Sequence, residues 1–490
     1  MSAEQKLAAH LPSSDWLLDH RFEGHTVLPA VVAVRLLKEA LLTVAKGSFQ
    51  IRKAEFPRFL QISSQTAENP LTVSIANGDR GTFQGHLQST IRSRASGFSR
   101  TLDHAIVSFE PALEVTPLPW DIAVMPEGLG FTVPAAALYA ELVPFGPAFH
   151  NVKDPIYISP DGVLATVDCP SPQPELWPPG VLFPLDAAFH LCCLWCQRYH
   201  GVTAFPVGFG HHKLVREIKP GAKIKARIVP CPTKWLFDIW LYDDQGEILE
   251  TCLGVRMADI SRGRLNAPEW LLEVGPANES FLAALGVPAT VIALASLPLN
   301  SMTGLTPREL ERFNTLGERR QRSYLAARIA MKRLARRLSP TESDYPAESI
   351  ETLADDDIRP RCGATLLHSA AAHDPDFAIA VASRHPVGVD VELISEKAVR
   401  GARLFLDDNE QKLIADNDRA ETATRMWTVK ESVAKMLSLP LAKAWQRARI
   451  VSTRPDESRV SLDGRVFQAR HVRYGEHIFT VISDEEESSC

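Results

Sequence analysis

The chain has 490 residues, of which 45% are hydrophobic and 23% are charged, and its formal net charge is −6 at pH 7. This length exceeds one ordinary hydrophobic core, so two or three domains are expected. The mild charge, without a long Lys/Arg block, excludes a general nucleic-acid binder. The longest apolar run, from Ala30 to Ala45, is interrupted by charges and is too short to cross a membrane, and the N-terminus lacks the pattern of a signal peptide. We therefore predict a cytoplasmic protein that binds neither membranes nor nucleic acid.

Residues 1 to about 260 are dominated by short β-rich runs such as LTVSIA, KIKARIV and WLFDIWLY. Two strongly apolar helical runs interrupt them, one beginning near Pro29 and one near Pro184. Proline is tolerated in the first helical turn, where its missing N–H costs nothing. Both runs are apolar nearly all round, as a helix wrapped by a curved sheet would be. We predict two sheet-around-helix units that share an architecture without detectable sequence identity.

Three motifs in this half carry candidate catalytic groups. His20, Gly24 and Pro29 fit the pattern H-x-x-x-G-x-x-x-x-P, the segment PFGPAF follows, and Asp186 precedes His190 by four residues. Eliminating water from a β-hydroxyacyl thioester needs a base, an acid and a donor to the thioester oxygen. A histidine suits the first role, an aspartic acid in an apolar setting the second, and a backbone N–H near a helix N-terminus the third.

Taken together, the motifs resemble the double hot-dog dehydratase domains of polyketide and polyunsaturated fatty acid synthases, over about 1–260. The resemblance implies that His20 is the base, that Asp186 is the acid and that Gly24 provides the oxyanion contact. His190 stands where the family often has a Gln, and either residue can hydrogen-bond the acid. Two alternatives stay open: a product-template-like cyclase, and a non-catalytic module that docks a carrier protein.

The same half contains a cluster of cysteines in the run FHLCCLWC. Cys193 and Cys196 form a C-x-x-C pair, but no second pair or His cluster completes a zinc site. We predict that these residues are buried, reduced and structural.

The pattern changes after residues 261–267, which are polar and predict a linker. Residues 268–490 then form a second domain, with helical pattern from Thr306 to Leu338 and strands at FAIAVAS and VGVDVE. Basic residues cluster from Arg308 to Arg337. Such a cluster is either a solvated helix face or a phosphate site.

The second domain contains three carboxylates with informative spacing. Asp390 and Glu392 lie two residues apart in a predicted strand, which places both on one face. Glu431 and Lys435 lie four apart in a predicted helix, again on one face. Three carboxylates without His or Cys favour Mg²⁺, which commonly also binds substrate phosphates.

These segments resemble the Sfp-type 4′-phosphopantetheinyl transferases, over about 268–490. The resemblance implies coenzyme A as the substrate, with Mg²⁺ bound by the three carboxylates. Glu431, or a water held by the cluster, would deprotonate the carrier serine, and Lys435 would stabilise pyrophosphate charge. Lys430 flanks Glu431 but does not share its face.

Further residues correspond to the family's coenzyme-binding segments. The resemblance implies phosphate contacts from Arg328 or Lys332 in the basic helix, from Arg359 in DIRPR, and from His368 and Ser369 in LLHSAA. Leu367 stands where the family has a Ser, and DIRP lacks the usual Gly. These departures bear on coenzyme affinity more than on the chemistry.

The expected fold class is α+β, a double hot-dog followed by a pseudo-symmetric two-lobed transferase. The expected partners are an acyl carrier protein, its acyl chains, and a parent or neighbouring polyketide or fatty acid synthase. Enediyne-type polyketide synthases end in such a dehydratase–transferase pair. The chain is compatible with a freestanding protein, with a synthase tail and with a homodimer.

Overall fold

The protein is described by a computed structural model that covers residues 4–9, 15–62, 71–92, 99–112, 128–170, 182–231, 233–273, 278–297, 301–342, 345–354, 359–414 and 417–484. It divides into two compact units. The first comprises residues 1–118 and 131–274, and the second comprises residues 119–130 and 275–490.

The first unit is built on antiparallel strands and two long helices. Its strands are β1 (Glu4–Ala9), β2 (Arg21–Phe22), β3 (His25–Thr26), β4 (Phe49–Glu55), β5 (Leu71–Asn77), β6 (Phe83–Arg92), β7 (Ser99–Pro111), β8 (Phe131–Val133), β9 (Val152–Ser159), β10 (Gly162–Asp168), β11 (Phe205–Phe209), β12 (His212–Leu214), β13 (Lys223–Pro230), β14 (Leu236–Tyr242) and β15 (Ile248–Ala258). Its α-helices are α1 (Ala30–Val44), α2 (Ala135–Ala137), α3 (Phe183–His200) and α4 (Glu269–Glu273).

One sheet of 13 strands winds around α1 and α3 in the order β1-β5-β6-β7-β4-β11-β15-β14-β13-β10-β9-β8, with β12 paired to β15 and β4. Helix α1 packs on β5, β6 and β7, and α3 packs on β10, β13 and β14. Pro29 caps α1 and Pro184 lies in the first turn of α3. The prediction of a double hot-dog with two enclosed helices is confirmed, but the two predicted sheets are joined into one through the pairing of β4 with β11.

The cysteines of α3 are packed as apolar side chains. Cys192, Cys193 and Cys196 are buried and unpaired, and burial raises the pKa of each thiol. Among the described residues, no helix is both long and apolar enough to cross a membrane.

The second unit contains two smaller sheets. Its helices are α5 (Asn278–Ala284), α6 (Pro307–Asn314), α7 (Glu318–Leu338), α8 (Glu396–Phe405), α9 (Asp408–Gln411), α10 (Arg419–Met436) and α11 (Leu441–Arg447). Its strands are β16 (Ala289–Ala293), β17 (His368–His373), β18 (Phe377–Ser383), β19 (Val387–Leu393), β20 (Ala448–Thr453), β21 (Glu457–Leu462), β22 (Arg465–Tyr474) and β23 (His477–Ser483). The strand orders are β16-β18-β17 and β19-β23-β22-β21-β20.

An internal repeat is visible in how the two long helices of this unit are anchored. Glu309 closes a capping box at the start of α6, and Glu410 does the same for α9. Each glutamate binds a lysine of the following long helix: Lys332 Nζ lies 2.7 Å from Glu309 Oε2, and Lys430 Nζ lies 2.7 Å from Glu410 Oε1. Both lysines are fully buried. The two lobes thus use the same buried ion pair, as expected for a pseudo-symmetric transferase fold.

The boundary between the units lies later than the predicted linker at 261–267. Helix α4 packs on α3, where Trp270 Nε1 donates to Glu141 Oε2 over 2.7 Å and Arg198 donates to the Leu272 carbonyl over 2.8 Å. Leu271 is fully buried. Residues 261–267, predicted as a linker, lie within the first unit, and the contacts that follow them attach residues 268–273 to the same unit.

Candidate functional sites

His20 lies at the mouth of the β2–β3 hairpin, immediately after a 3₁₀ turn at Asp15–Asp19. Its Nδ1 lies 2.9 Å from the Val27 carbonyl, a geometry that makes Nδ1–H the donor and leaves Nε2 unprotonated. Burial lowers the pKa of His20 to about 4, against an opposing effect of the Asp186 carboxylate. The imidazole is therefore neutral near pH 7 and able to accept a proton.

The segment PFGPAF contacts both His20 and Asp19, the residue before it. Gly146 N–H donates to the Asp19 carbonyl over 2.8 Å, and Ala148 N–H donates to Asp19 Oδ2 over 2.9 Å. A Cβ atom on Gly146 would lie 2.3 Å from Asp19 Cγ, so only glycine permits this approach. The Phe145 ring packs 4.2 Å from the imidazole of His20. The motif therefore holds Asp19 through hydrogen bonds and holds the imidazole of His20 through packing.

Asp186 and His190 face the same cavity from the first turns of α3. Both are buried, and Asp186 Oδ2 lies 3.1 Å from His190 Nε2. Tyr139 Oη lies 3.5 Å from the other ring nitrogen of His190 and accepts the Val152 N–H. The structure thus brings His20, Asp186 and His190 together around one apolar cavity of about 60 Å³.

Gly24 is placed elsewhere. It turns the β2–β3 hairpin with φ +80°, and it is not among the described residues that line the cavity. The first residue of α1, Ala30, does line it. The structure therefore does not support the predicted oxyanion role of Gly24, whose glycine is required by the turn, and it leaves the N-terminus of α1 as the nearer source of backbone N–H groups.

The second site lies where α10 crosses β19. Asp390 and Glu392 share one face of β19, and Glu431 projects from α10. A Cβ atom on Gly388 would lie 1.8 Å from the Ser432 carbonyl oxygen, so this glycine lets the helix backbone approach the strand. The close approach explains why the GVDVE and WTVKESVAK motifs converge.

Lys435 is the cation of this cluster. Its Nζ lies 2.6 Å from Asp390 Oδ1 and 4.0 Å from Glu431 Oε2. The indole of Trp427 donates to Glu392 Oε1 over 3.4 Å. Lys430, by contrast, is fully buried against Glu410, a contact that the sequence did not predict.

The electrostatics of the cluster favour a further cation. Burial raises the pKa of Asp390 and of Glu431, and burial with the charge of Glu431 raises the pKa of Glu392 to about 7. Asp390 Oδ2 is buried without a hydrogen-bond partner in the described part of the chain. No three acidic, His or Cys side chains of the described residues are yet close enough to hold a metal ion together. The donor chemistry fits Mg²⁺, although the Lys435 ammonium lies on Asp390 in this conformation.

Neither Arg328 nor Lys332, one of which was predicted to contact phosphate, is exposed in this structure. Lys332 Nζ is enclosed by Glu309 and by the carbonyls of Ala347 and Ile350, at 2.9 and 2.6 Å. Arg328 turns inward and donates to the Thr352 carbonyl over 2.7 Å. Both side chains are buried, because the capping glutamate of α6 requires a buried counter-charge.

The other predicted contacts lie around the start of β17. His368 and Arg359 are exposed, and Ser369 Oγ donates to the Pro360 carbonyl over 3.1 Å. This bond joins the strand to the turn that carries Arg359. Ile358, within the DIRPR segment, lies outside the described residues. The phosphate roles of Arg359, His368 and Ser369 remain predictions.

The sequence analysis missed His373, at the opposite end of β17. Desolvation and then the charge of Lys435 lower the pKa of His373, and Arg320 and Arg328 act in the same direction. His373 is exposed, and the three cations that lower its pKa give it positively charged surroundings, where an anion would be favoured. The alternation of side chains along β17 was the signal that the sequence offered for His373. His368 and His373 lie five residues apart and therefore point to opposite faces of the strand.

Asp374 was also missed. It is buried, its Oδ2 lies 3.2 Å from His477 Nε2, and its charge raises the pKa of Glu392. It is a fourth acid at the edge of the cluster, and a single sequence carries no spacing signal for it.

Comparisons with known proteins match two different families in two different parts of the chain. Residues 386–482 match the family model of the 4′-phosphopantetheinyl transferase superfamily, and residues 129–267 match that of the polyketide synthase dehydratase N-terminal domain. The 4′-phosphopantetheinyl transferase gsp of Aneurinibacillus migulanus is 30% identical over 86 residues, which are 16% of this chain. The match spans only 36% of that relative.

Among solved structures, the chain is similar to a trans-AT polyketide synthase dehydratase domain from Brevibacillus brevis, with 17% identity, TM-score 0.43 and coverage of 52% of this chain and 94% of that one. It is also similar to the dehydratase domain of PpsC from Mycobacterium tuberculosis in complex with C12:1-CoA, with 18% identity, TM-score 0.41 and coverage of 52% and 93%. One part of the chain is thus similar to polyketide synthase dehydratases and another to the 4′-phosphopantetheinyl transferase superfamily.

Proposed function

We propose that the protein is a bifunctional enzyme that acts twice on one acyl carrier protein. The second unit transfers the 4′-phosphopantetheine arm of coenzyme A to a carrier serine, and the first unit dehydrates β-hydroxyacyl chains carried on that arm. The observation that carries the proposal is the convergence of Asp390, Glu392, Glu431 and Lys435 inside the region that matches the transferase superfamily.

In the transfer step the serine oxygen attacks a pyrophosphate phosphorus of coenzyme A. A new P–O bond forms, the bond to the bisphosphorylated adenosine leaving group breaks, and the serine proton is released. Glu431 is suited to take that proton, because burial raises its pKa and so strengthens it as a base. Lys435 lies within reach of both Asp390 and Glu431 and supplies positive charge beside the reacting phosphates.

The metal would bind to Asp390, Glu392 and Glu431, and when bound Mg²⁺ would neutralise charge on the pyrophosphate. Lys435 would then leave Asp390 and turn toward the phosphates. The orphaned Asp390 Oδ2 supports this arrangement, since a buried carboxylate oxygen needs a partner.

In the dehydration step, His20 Nε2 takes a proton from the carbon next to the thioester carbonyl. The C–O bond of the β-hydroxyl breaks, a carbon–carbon double bond forms, and Asp186, held by His190, protonates the departing hydroxyl to give water. The neutral state of His20 and the shared apolar cavity support these roles.

The first experiment incubates the full chain with coenzyme A, Mg²⁺ and a panel of apo carrier proteins, and measures intact carrier masses. We expect one carrier to gain a single phosphopantetheine arm, and EDTA to prevent the gain. Transfer that continues in EDTA would remove the metal from the proposal. If no carrier in the panel is modified and coenzyme A also fails to bind in calorimetry, the transferase assignment is wrong.

The second experiment tests the dehydratase with a β-hydroxyacyl chain loaded on the identified carrier. We expect His20→Ala to lower the rate by about 10²–10⁴-fold, the usual effect of losing a general base. His25→Ala is a matched control, because His25 lies in the same hairpin and is exposed. Equal rates for His20→Ala and the unmodified protein would favour a docking module instead.

A further inference from the structure

A second cavity lies in the first unit, on the side of α1 and α3 that faces away from His20. Helix α1 lines it with Val31, Val34, Arg35 and Lys38, which recur at helical spacing on one face. Ala30 and Ala33, on another face of α1, line the His20 cavity instead. The two helices therefore separate two distinct cavities.

Helix α3 and its N-cap divide in the same way. Leu182 and Leu185 line the second cavity, whereas Asp186, Phe189 and His190 line the first. The second cavity measures about 340 Å³, against about 60 Å³ for the first. A volume of this size is within the range of ligand sites, which are about 300–1,000 Å³.

Most of the wall of the second cavity is aliphatic or aromatic. Alongside the residues of α1 and α3, Ile51, Phe209 and Ile218 contribute buried apolar surface. A cavity lined in this way favours a hydrocarbon chain, because burying apolar surface is favourable by roughly 25 cal/mol per Å².

One end of the cavity is polar, and a buried acid there lacks a partner. His212 Nε2 lies 2.5 Å from Glu250 Oε1, and both side chains are largely buried. The other oxygen, Glu250 Oε2, is buried and accepts no hydrogen bond from any described residue. A ligand that donates an O–H or N–H would satisfy this oxygen.

The charged residues that line this cavity indicate which kind of head group a bound ligand would have. Lys38 lines the cavity together with Glu250, and their opposite charges attract. Arg35 binds Glu39 within α1 at 2.5 Å. The remaining acid on the cavity, Glu217, is exposed. A charged head group would meet one attractive and one repulsive charge, because Glu250 and Lys38 have opposite signs, and it would also lose its hydration on burial. A hydroxyl loses less hydration and can donate to Glu250 and accept from Lys38.

We propose that this cavity binds an aliphatic chain with an uncharged hydroxyl head, oriented by Glu250 and Lys38. The ligand class goes beyond the proposed dehydratase and transferase activities and does not depend on either. The cavity is separate from His20 and Asp186, so occupancy would leave the dehydratase cavity open.

The test measures binding of three ten-carbon probes by isothermal titration calorimetry on the full chain: decanol, decanoate and decylamine. We expect saturable one-to-one binding of decanol, and at least about tenfold weaker binding of the two charged probes. Tighter binding of decanoate or decylamine, or no saturable binding of any probe, would overturn the proposal.

Two variants locate the site. Leu214 lines the second cavity and is 46% exposed, so Leu214→Trp should fill the cavity without overpacking the core and should abolish decanol binding. Ala30→Phe fills the first cavity and should leave decanol binding intact. The opposite pattern would assign the ligand to the His20 cavity and would contradict the proposal.

A third variant tests the head group. Glu250→Gln keeps the shape but removes the negative charge, so decanol binding should weaken by at least about tenfold while decanoate binding improves. Thermal unfolding of each variant checks that it folds. Unchanged decanol affinity in folded Glu250→Gln would show that Glu250 does not bind the head group.

Discussion

The two long helices of the second unit share one anchor and differ in the residue beside it. Helix α7 buries Lys332 against Glu309, and α10 buries Lys430 against Glu410. The next residue is Arg333 in α7 and Glu431 in α10. The buried ion pair therefore belongs to the scaffold, and we infer that the partly buried residue after each lysine distinguishes the chemistry of the two lobes. A motif shared by both lobes is thus a poor guide to ligand contacts, whereas a difference between them is a good one.

The largest expected effect is on the transfer rate, and it should distinguish Glu431 from Arg333. We expect Glu431→Gln to lower the rate of phosphopantetheine transfer by about 10²–10⁴-fold, because the proton acceptor of the carrier serine is lost. Arg333→Gln, at the matching position of α7, should change the rate far less. The measurement is single-turnover transfer followed by carrier mass. Similar losses in both variants would show that the two positions do not differ in chemistry.

Breaking either anchor should destabilise its lobe. Lys332→Met leaves Glu309 buried without a counter-charge, a change that typically costs about 3–5 kcal/mol. We expect Lys430→Met to behave likewise for α10. Hydrogen–deuterium exchange of α7 and α10 peptides in the full chain would report the loss for each lobe separately.

The double variant Glu309→Gln/Lys332→Met is the control, because it removes both charges and should recover part of the stability. If Lys332→Met instead kept normal exchange and raised only the KM for coenzyme A, Lys332 would contact phosphate after all.

The carboxylate cluster should make the α10 lobe sensitive to pH. The pKa of Glu392 is about 7 in the folded protein and 4.5 for an ordinary glutamate. Between these values the folded state binds more protons than the unfolded state, so stability is greatest below pH 4.5 and falls as the pH rises toward 7. We expect the protection of α10 amides, measured relative to their intrinsic exchange rate at each pH, to fall over this window without divalent cation, and Mg²⁺ to restore it at pH 7.

Glu392→Gln is the matching variant, and it should flatten this pH dependence while α7 peptides stay unaffected. Protection of α10 amides that increases as the pH rises would contradict the proposed effect of the cluster.

The smallest effect concerns the two histidines of β17. Both side chains are exposed, at opposite ends of the strand, and after desolvation the charge of Lys435 lowers the pKa of His373. We expect His373→Gln to raise the KM for coenzyme A by about tenfold, equivalent to losing one charge-assisted hydrogen bond, and His368→Gln to leave it nearly unchanged. A larger effect of His368→Gln would restore the contact that the sequence resemblance implies.

The sequence predicted the features that depend on residues close together in the chain. The spacing of Asp390, Glu392, Glu431 and Lys435 fixed their faces, and the apolar runs near Pro29 and Pro184 predicted the two buried helices. The sequence failed where long-range packing decides. The burial of Lys332 depends on Glu309, which lies 23 residues earlier on another helix, and basic composition alone cannot distinguish a buried ion pair from a phosphate site.

Other gaps have the same origin. Gly24 lies in a motif, but its role depends on where the hairpin turns relative to the cavity. The second cavity is formed by residues from α1, α3, β4, β12 and β15, and no local pattern joins them. The unit boundary moved for this reason too, because Leu271 packs on chain far from it in sequence.

Gly388 gives experimental control over the two proposed activities. It contributes no charge and no ligand atom, yet the distance between α10 and β19 depends on its missing side chain, since a Cβ there would lie 1.8 Å from the Ser432 carbonyl oxygen. A single methyl group at this position would push the helix away and separate Glu431 from Asp390 with every acid still in place. Such a variant could uncouple loading of the carrier from later processing of its acyl chain, so that each step could be followed alone in a living cell.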